Sequence, residues 1–163
     1  MSSPIAVSAY EIVLALHILG VVVAFGVTFA YPIIFAVAAR AEPRSLPLIH
    51  RIEYTVEQRL VNPMLGVVLA AGIFLASDGH HWSQFFVQWG LGVVIVLGAL
   101  IGAVMIPTSK HAEELAARDI EAAASGSVQM SEQYRLLVRR LNLVGTLMSL
   151  LVVVTVFFMV IKP

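Results

Sequence analysis

The run from Ile12 to Ala39, IVLALHILGVVVAFGVTFAYPIIFAVAA, contains no charged residue. At about 1.5 Å of rise per helical residue it outreaches the roughly 30 Å hydrocarbon core of a bilayer, so it is read as a membrane-spanning helix with room to tilt. Pro32 removes a backbone hydrogen bond from it and predicts a kink near residues 28 to 32. The small residues at 36 to 41 would suit a signal-peptide cleavage site. However, no Lys or Arg precedes the apolar run, and the run is too long for a signal's hydrophobic core.

Three further apolar stretches follow, Leu60 to Ser77, Phe85 to Ile106 and Leu141 to Ile161. With the first they predict an all-α membrane four-helix bundle in one domain covering 1–163, with spans at about 10–39, 60–77, 85–106 and 141–161. Composition agrees. Hydrophobic residues make up 60% of the 163 and charged residues 12%, against about 25% charged in a soluble domain. Ten bases balance ten acids, which leaves no net field to attract nucleic acid. The lipid bilayer is the expected partner. The chain has no cysteine, which excludes disulfides, thiolate catalysis, cysteine-held zinc or iron–sulfur clusters and c-type haem attachment.

Charge placement orients the bundle. Arg40, Arg44, Arg51 and Arg59 precede the second span, and Lys110, Arg118, Arg135, Arg139 and Arg140 lie between the third and fourth. Only Lys162 falls on the other side. The positive-inside rule then predicts an up-down bundle with both termini outside, in the inner membrane of a bacterium. The arginine-rich connections are expected to be helical extensions into the cytoplasm. In the first, Leu46, Ile49, Ile52, Val56 and Leu60 form the expected buried face, with His50, Arg51, Glu53, Glu57 and Gln58 solvated. In the second, Glu113, Glu114, Asp119 and Glu121 are placed to pair with Arg135, Arg139 and Arg140 across a break at Ser125-Gly126-Ser127.

Small and polar residues mark the faces on which membrane helices approach. Gly20, Ala24 and Thr28; Asn62, Gly66 and Ala70; and Asn142, Thr146 and Ser149 predict interior stripes. Gly98 and Gly102 form a GxxxG pair that could build the interior or serve as a homo-oligomer interface.

His17 is the ionisable group deepest in a span, and such a group is a functional candidate by default. The outer turn adds Asp78, His80 and His81, and Glu11 begins the first helix. His17 with His81 or His80 could be an axial pair for haem b, and Glu11 or Asp78 could complete a divalent zinc or copper site. The competing reading makes His17 a structural contact and Asp-Gly-His-His-Trp a polar turn, with Gly79 ending a helix and Trp82 in the aromatic belt. Met64, Met105, Met148 and Met159 are scattered and read as packing residues.

The run Leu16-His17-Ile18-Leu19-Gly20-Val21-Val22-Val23, with Gly26, resembles the first helix of small bacterial integral membrane proteins of unknown function. Those proteins are in turn similar to the copper-resistance protein D group and to the membrane haem-dependent protoporphyrinogen oxidase. The resemblance implies a haem- or metal-ligating role for His17. This chain differs in carrying Ala24-Phe25 where the pattern has a tryptophan, and in having no lysine within a span.

No nucleophile–base arrangement, phosphate-binding loop or nucleotide fingerprint is present. The expectation is therefore a non-catalytic bundle or a subunit of an oligomer or complex. The alternatives are a b-type haem- or metal-binding redox protein using His17, and a small transporter or channel. For the last, Asn62, Asn142, Thr146 and Ser149 are the only polar groups in the spans that could line a path.

Overall fold

The structure is a computed structural model and describes residues 7–163. Seven α-helices run in the order α1 (Ala9–Gly26), α2 (Tyr31–Ala41), α3 (Leu46–Val56), α4 (Asn62–Asp78), α5 (Phe85–Leu100), α6 (Ile106–Ala123) and α7 (Glu132–Ile161). There is no β-strand among the described residues. Continuous helical segments combine these elements into four rods long and apolar enough to cross a membrane: Ala9–Ala41, Pro43–Asp78, Phe85–Ala123 and Glu132–Ile161. The exposed faces of the rods carry Ile18, Val22, Ile33, Ile95, Leu147 and Val160, the surface expected of a protein solvated by hydrocarbon.

The helix ends follow from local chemistry. Ser8 and Glu11 form a reciprocal capping box at the start of α1, with the Glu11 carboxylate accepting from the Ser8 backbone N–H at 2.8 Å. The Ser131 hydroxyl caps α7 by accepting from Tyr134 N–H, as its place in the sequence predicts. Gly79 closes α4, and the break at 125–127 separates α6 from α7.

Prolines interrupt three of the four rods. Between α1 and α2 the helix opens into a turn at residues 27–30, just before Pro32. Between α3 and α4 the five residues Glu57–Val61 form a π-helical turn, where Asn62 N–H donates to the Glu57 carbonyl, just before Pro63. Between α5 and α6 a second π turn, Ile101–Met105, precedes Pro107 in the same way. Pro63 and Pro107 bring no N–H to the ladder, and a widened turn accommodates their rings. The kink expected near residues 28 to 32 is present. The two π turns, by contrast, carry the helices straight on from the spans into the arginine-rich end.

α1 packs along α4, α4 against α5, and α5 against α7, while α3 packs on α6 and α6 on α7. Gly20 lies against Met64 and Val68, close enough that an added Cβ would sit 2.9 Å from Val68 Cγ2. Ala24, Val61, Leu65, Leu97, Ile101 and Val152 form the core of the spans. Trp89 Nε1 donates to Thr155 Oγ1 at 3.0 Å and joins α5 to α7. α1 and α7 make no more than marginal contact, so a groove separates them.

Two of the expected interior stripes are corrected. Gly66 and Ala70 are exposed, and the buried face of α4 is instead Leu65, Val68, Ala71 and Ala76. Gly98 and Gly102 meet no neighbour within 4 Å of a Cβ position, so this pair does not build the interior. In both cases a neighbouring stripe forms the seam, Leu65, Val68, Ala71 and Ala76 on α4 and Gly90, Val93 and Leu97 on α5.

Candidate functional site

The buried face of α3 and the turn after it is rotated from the expected one, although Leu46 is buried, Ile49 and Val56 pack on the core, and Arg51 and Gln58 are exposed as expected. Leu46, His50, Glu53, Glu57 and Val61 are buried, whereas Ile52 and Leu60 are exposed. The spacing 46, 50, 53, 57, 61 is itself helical, so both stripes have the right period and packing decides between them. His50 and Glu53 point inward, where polar partners on α6 and α7 meet them.

The groups around them come from three other elements, α2, α6 and α7. His50 is 0% exposed, and its Nε2 lies 3.0 Å from the Tyr134 hydroxyl on α7. Ser109 of α6, also fully buried, donates its hydroxyl to Glu53 Oε2 at 2.8 Å. His50 Nδ1 lies 3.5 Å from the same carboxylate oxygen, within ion-pair range but without the alignment of a hydrogen bond. The rings of Phe35, on α2, and His50 are stacked at a tilt with centroids 4.6 Å apart. Glu57 and Tyr31, each more than nine-tenths buried, remain incomplete: Glu57 Oε2 and the Tyr31 hydroxyl have no hydrogen-bond partner.

All of these groups except Ser109 and Tyr134 line a cavity of about 260 Å³. It is framed by Thr28, Pro32, Ile101 and Met105 at the helix interruptions and by Asn142, Thr146 and Ser149 on α7. Each π turn places its first and last residue on the wall, Glu57 with Val61 and Ile101 with Met105. The wall holds two carboxylates and neither lysine nor arginine. Burying a carboxylate without a partner is costly, and Glu57 meets that cost with neither a hydrogen bond nor a lysine or arginine beside it.

No family model, curated protein or solved structure matches this chain. The site is therefore read from its own residues.

The candidates singled out in the sequence lie elsewhere. His17 sits on the α1–α4 seam with Nδ1 3.0 Å from the Val68 carbonyl, over the Cα of Gly72. His81 lies near Phe86, with ring centroids 6.1 Å apart, and lines the same groove as His17. His80 has φ of 54° and turns its Nδ1 onto the Asp78 carbonyl at 3.1 Å. Glu11 is engaged in the capping box. No group of three or more His, Asp or Glu side chains gathers as a metal would require among the described residues.

The arginine-rich end shows further differences. Glu113 pairs with Arg51 of α3, whose Nε donates at 2.8 Å, rather than with the arginines of α7. Asp119 accepts from the Ser131 backbone N–H at 2.8 Å. Arg51 and Glu113 hold α3 against α6 on the outer side of the seam whose inner side is Glu53 and Ser109. His111 stays exposed beside Glu114, as its sequence setting predicts.

Proposed function

We propose that the protein is a non-enzymatic, multi-pass membrane protein that binds a cationic small molecule through Glu57 and Glu53, in the manner of a small carrier, with proton release on binding. The observation that supports it most is the Glu57 carboxylate oxygen, buried without a partner in a cavity that contains a second carboxylate, the His50 ring held against that second carboxylate, and neither lysine nor arginine. A residue that served packing alone would not need an ionisable group there. The Tyr31 hydroxyl adds an uncommitted donor and acceptor beside it.

We further propose the up-down arrangement with both termini outside, in a bacterial inner membrane. Nine of the ten Lys and Arg residues fall in the two connections at one end, which agrees with cytoplasmic retention of that end. The cation site would then open toward the inner half of the bilayer. Because the chain has no cysteine, single cysteines introduced at Ser125 and Lys162 provide a direct test: an impermeant maleimide added to intact cells should label the Lys162→Cys protein and spare Ser125→Cys.

For the site itself, titration calorimetry with n-butylamine on protein in phosphatidylcholine nanodiscs should show saturable binding. Its heat should vary with the ionisation enthalpy of the buffer, which reports proton release. Glu57→Gln, which keeps the shape of the side chain, should abolish the signal. Equal heats in the wild-type protein and Glu57→Gln would refute the reading.

A further inference from the structure

Resting on that reading of the head site, we infer that the ligand is an amphiphile, with an amine-type cationic head at Glu57 and a long apolar body lying in the groove between α1 and α7. The groove has a volume of about 540 Å³. Phe25 and Val152 stand on its wall and also on the wall of the inner cavity, so the two spaces adjoin. Together they reach the size of ordinary small-molecule sites, which bury most of a ligand's surface.

The chemistry of the two spaces differs sharply. The inner one presents Glu57, Glu53 and Tyr31. The groove is lined mainly by apolar groups, among them Ile18, Val22, Leu91, Val94 and Val156, with His17, His81, Thr155 and Lys162 as its polar members. Its sides are open, with Ile18 53%, Val22 60% and Val156 45% exposed. A ligand can therefore enter sideways from the lipid without crossing a hydrophilic pore. A small hydrophilic cation would gain nothing from this apolar length, whereas an alkyl chain can pack along it. A neutral lipid chain would leave the carboxyl end unmatched, so charge complementarity at one end and the adjacency of the two spaces across Phe25 and Val152 select a single-headed cationic amphiphile.

The test compares n-dodecylamine with n-butylamine in the same nanodiscs, each corrected by empty nanodiscs. Dodecylamine should bind the wild-type protein at least 10-fold more tightly. Val22→Trp and Val156→Trp fill the groove from exposed positions that a larger side chain can occupy without repacking the core. Each should remove the chain-length advantage and leave butylamine binding unchanged. Glu57→Gln should lose both amines. Equal affinities for the two amines in the wild-type protein, with Glu57→Gln still inactive, would overturn the amphiphile and keep the head site. A chain-length advantage that survives both tryptophans would also overturn it. Efficient Val22→Cys disulfide dimers at low protein-to-lipid ratio would put a second copy in the groove instead. Loss of every amine signal would defeat the head site as well.

Discussion

Glu53 and Glu57 lie one helical turn apart on the same buried face, yet only Glu53 has partners, the Ser109 hydroxyl at 2.8 Å and the His50 ring at 3.5 Å. The two carboxylates therefore do different work. Glu53 ties α3 to α6, and Glu57 is left for something else.

Opposite stability effects should follow. Ser109→Ala strips a buried carboxylate of its hydrogen bond and should destabilise the protein by about 1.5–3 kcal/mol, the range for bonds to charged groups. Glu57→Gln removes a buried ionisable group without breaking any hydrogen bond and should leave stability unchanged or raise it. Unfolding by dodecyl sulfate titration in mixed micelles measures both. A larger loss in Glu57→Gln than in Ser109→Ala would mean that Glu57 is the structural member of the pair.

The helix seams give a second contrast. A Cβ at Gly20 would lie 2.9 Å from Val68 Cγ2, and one at Gly98 would meet nothing within 4 Å. Gly20→Ala should force α1 away from α4 and lower the unfolding midpoint. Gly98→Ala should be neutral or stabilise by up to about 1 kcal/mol through helix propensity. A loss of stability in Gly98→Ala, appearing only at high protein-to-lipid ratio, would reveal a self-association seam at this pair.

The third prediction concerns the end of α6. Arg44 Nη2 donates to the carbonyls of Ala124 and Gly126 at 2.6 and 3.1 Å, where Ala124 has φ of 48°. These carbonyls follow a helix terminus and need a donor. Arg44→Ala should free the 124–127 segment and raise its rate of limited proteolysis several-fold, with little change in the global unfolding midpoint. An unchanged cleavage rate would show that the turn holds itself.

The membrane helices were legible because length and apolarity are one-dimensional properties: the runs starting at Ile12, Phe85 and Leu141 each announce a span. The site was not. By polarity alone His50, Glu53 and Glu57 read as a solvated face. The period of the helix is the same whichever side is buried, so only the partners on α6 and α7, Ser109 and Tyr134, could have turned that stripe inward. A signal was nevertheless present. Leu46, His50, Glu53, Glu57 and Val61 form a continuous stripe that runs without a break into α4, and Pro63 follows it by two residues. Tyr31 and Tyr134 could not be joined to that stripe, because their proximity depends on how four rods pack. The same limit applied to Gly66 and Ala70, whose small size suggested an interface that Leu65 and Val68 in fact provide.

The three prolines also bear on mechanics. Pro32, Pro63 and Pro107 each follow an irregular turn that borders the inner cavity, so three rods are pliant at one level while α7 runs through it uninterrupted. Helices bend where their ladder is broken. The molecule thus has a waist: bending of the arms of α1, α4 and α5 would be concentrated at this level, on one side of the polar clasp of His50, Glu53, Ser109 and Tyr134. Any change in the width of the lipid-facing cleft would then be felt at Glu57, which belongs to one of the three turns.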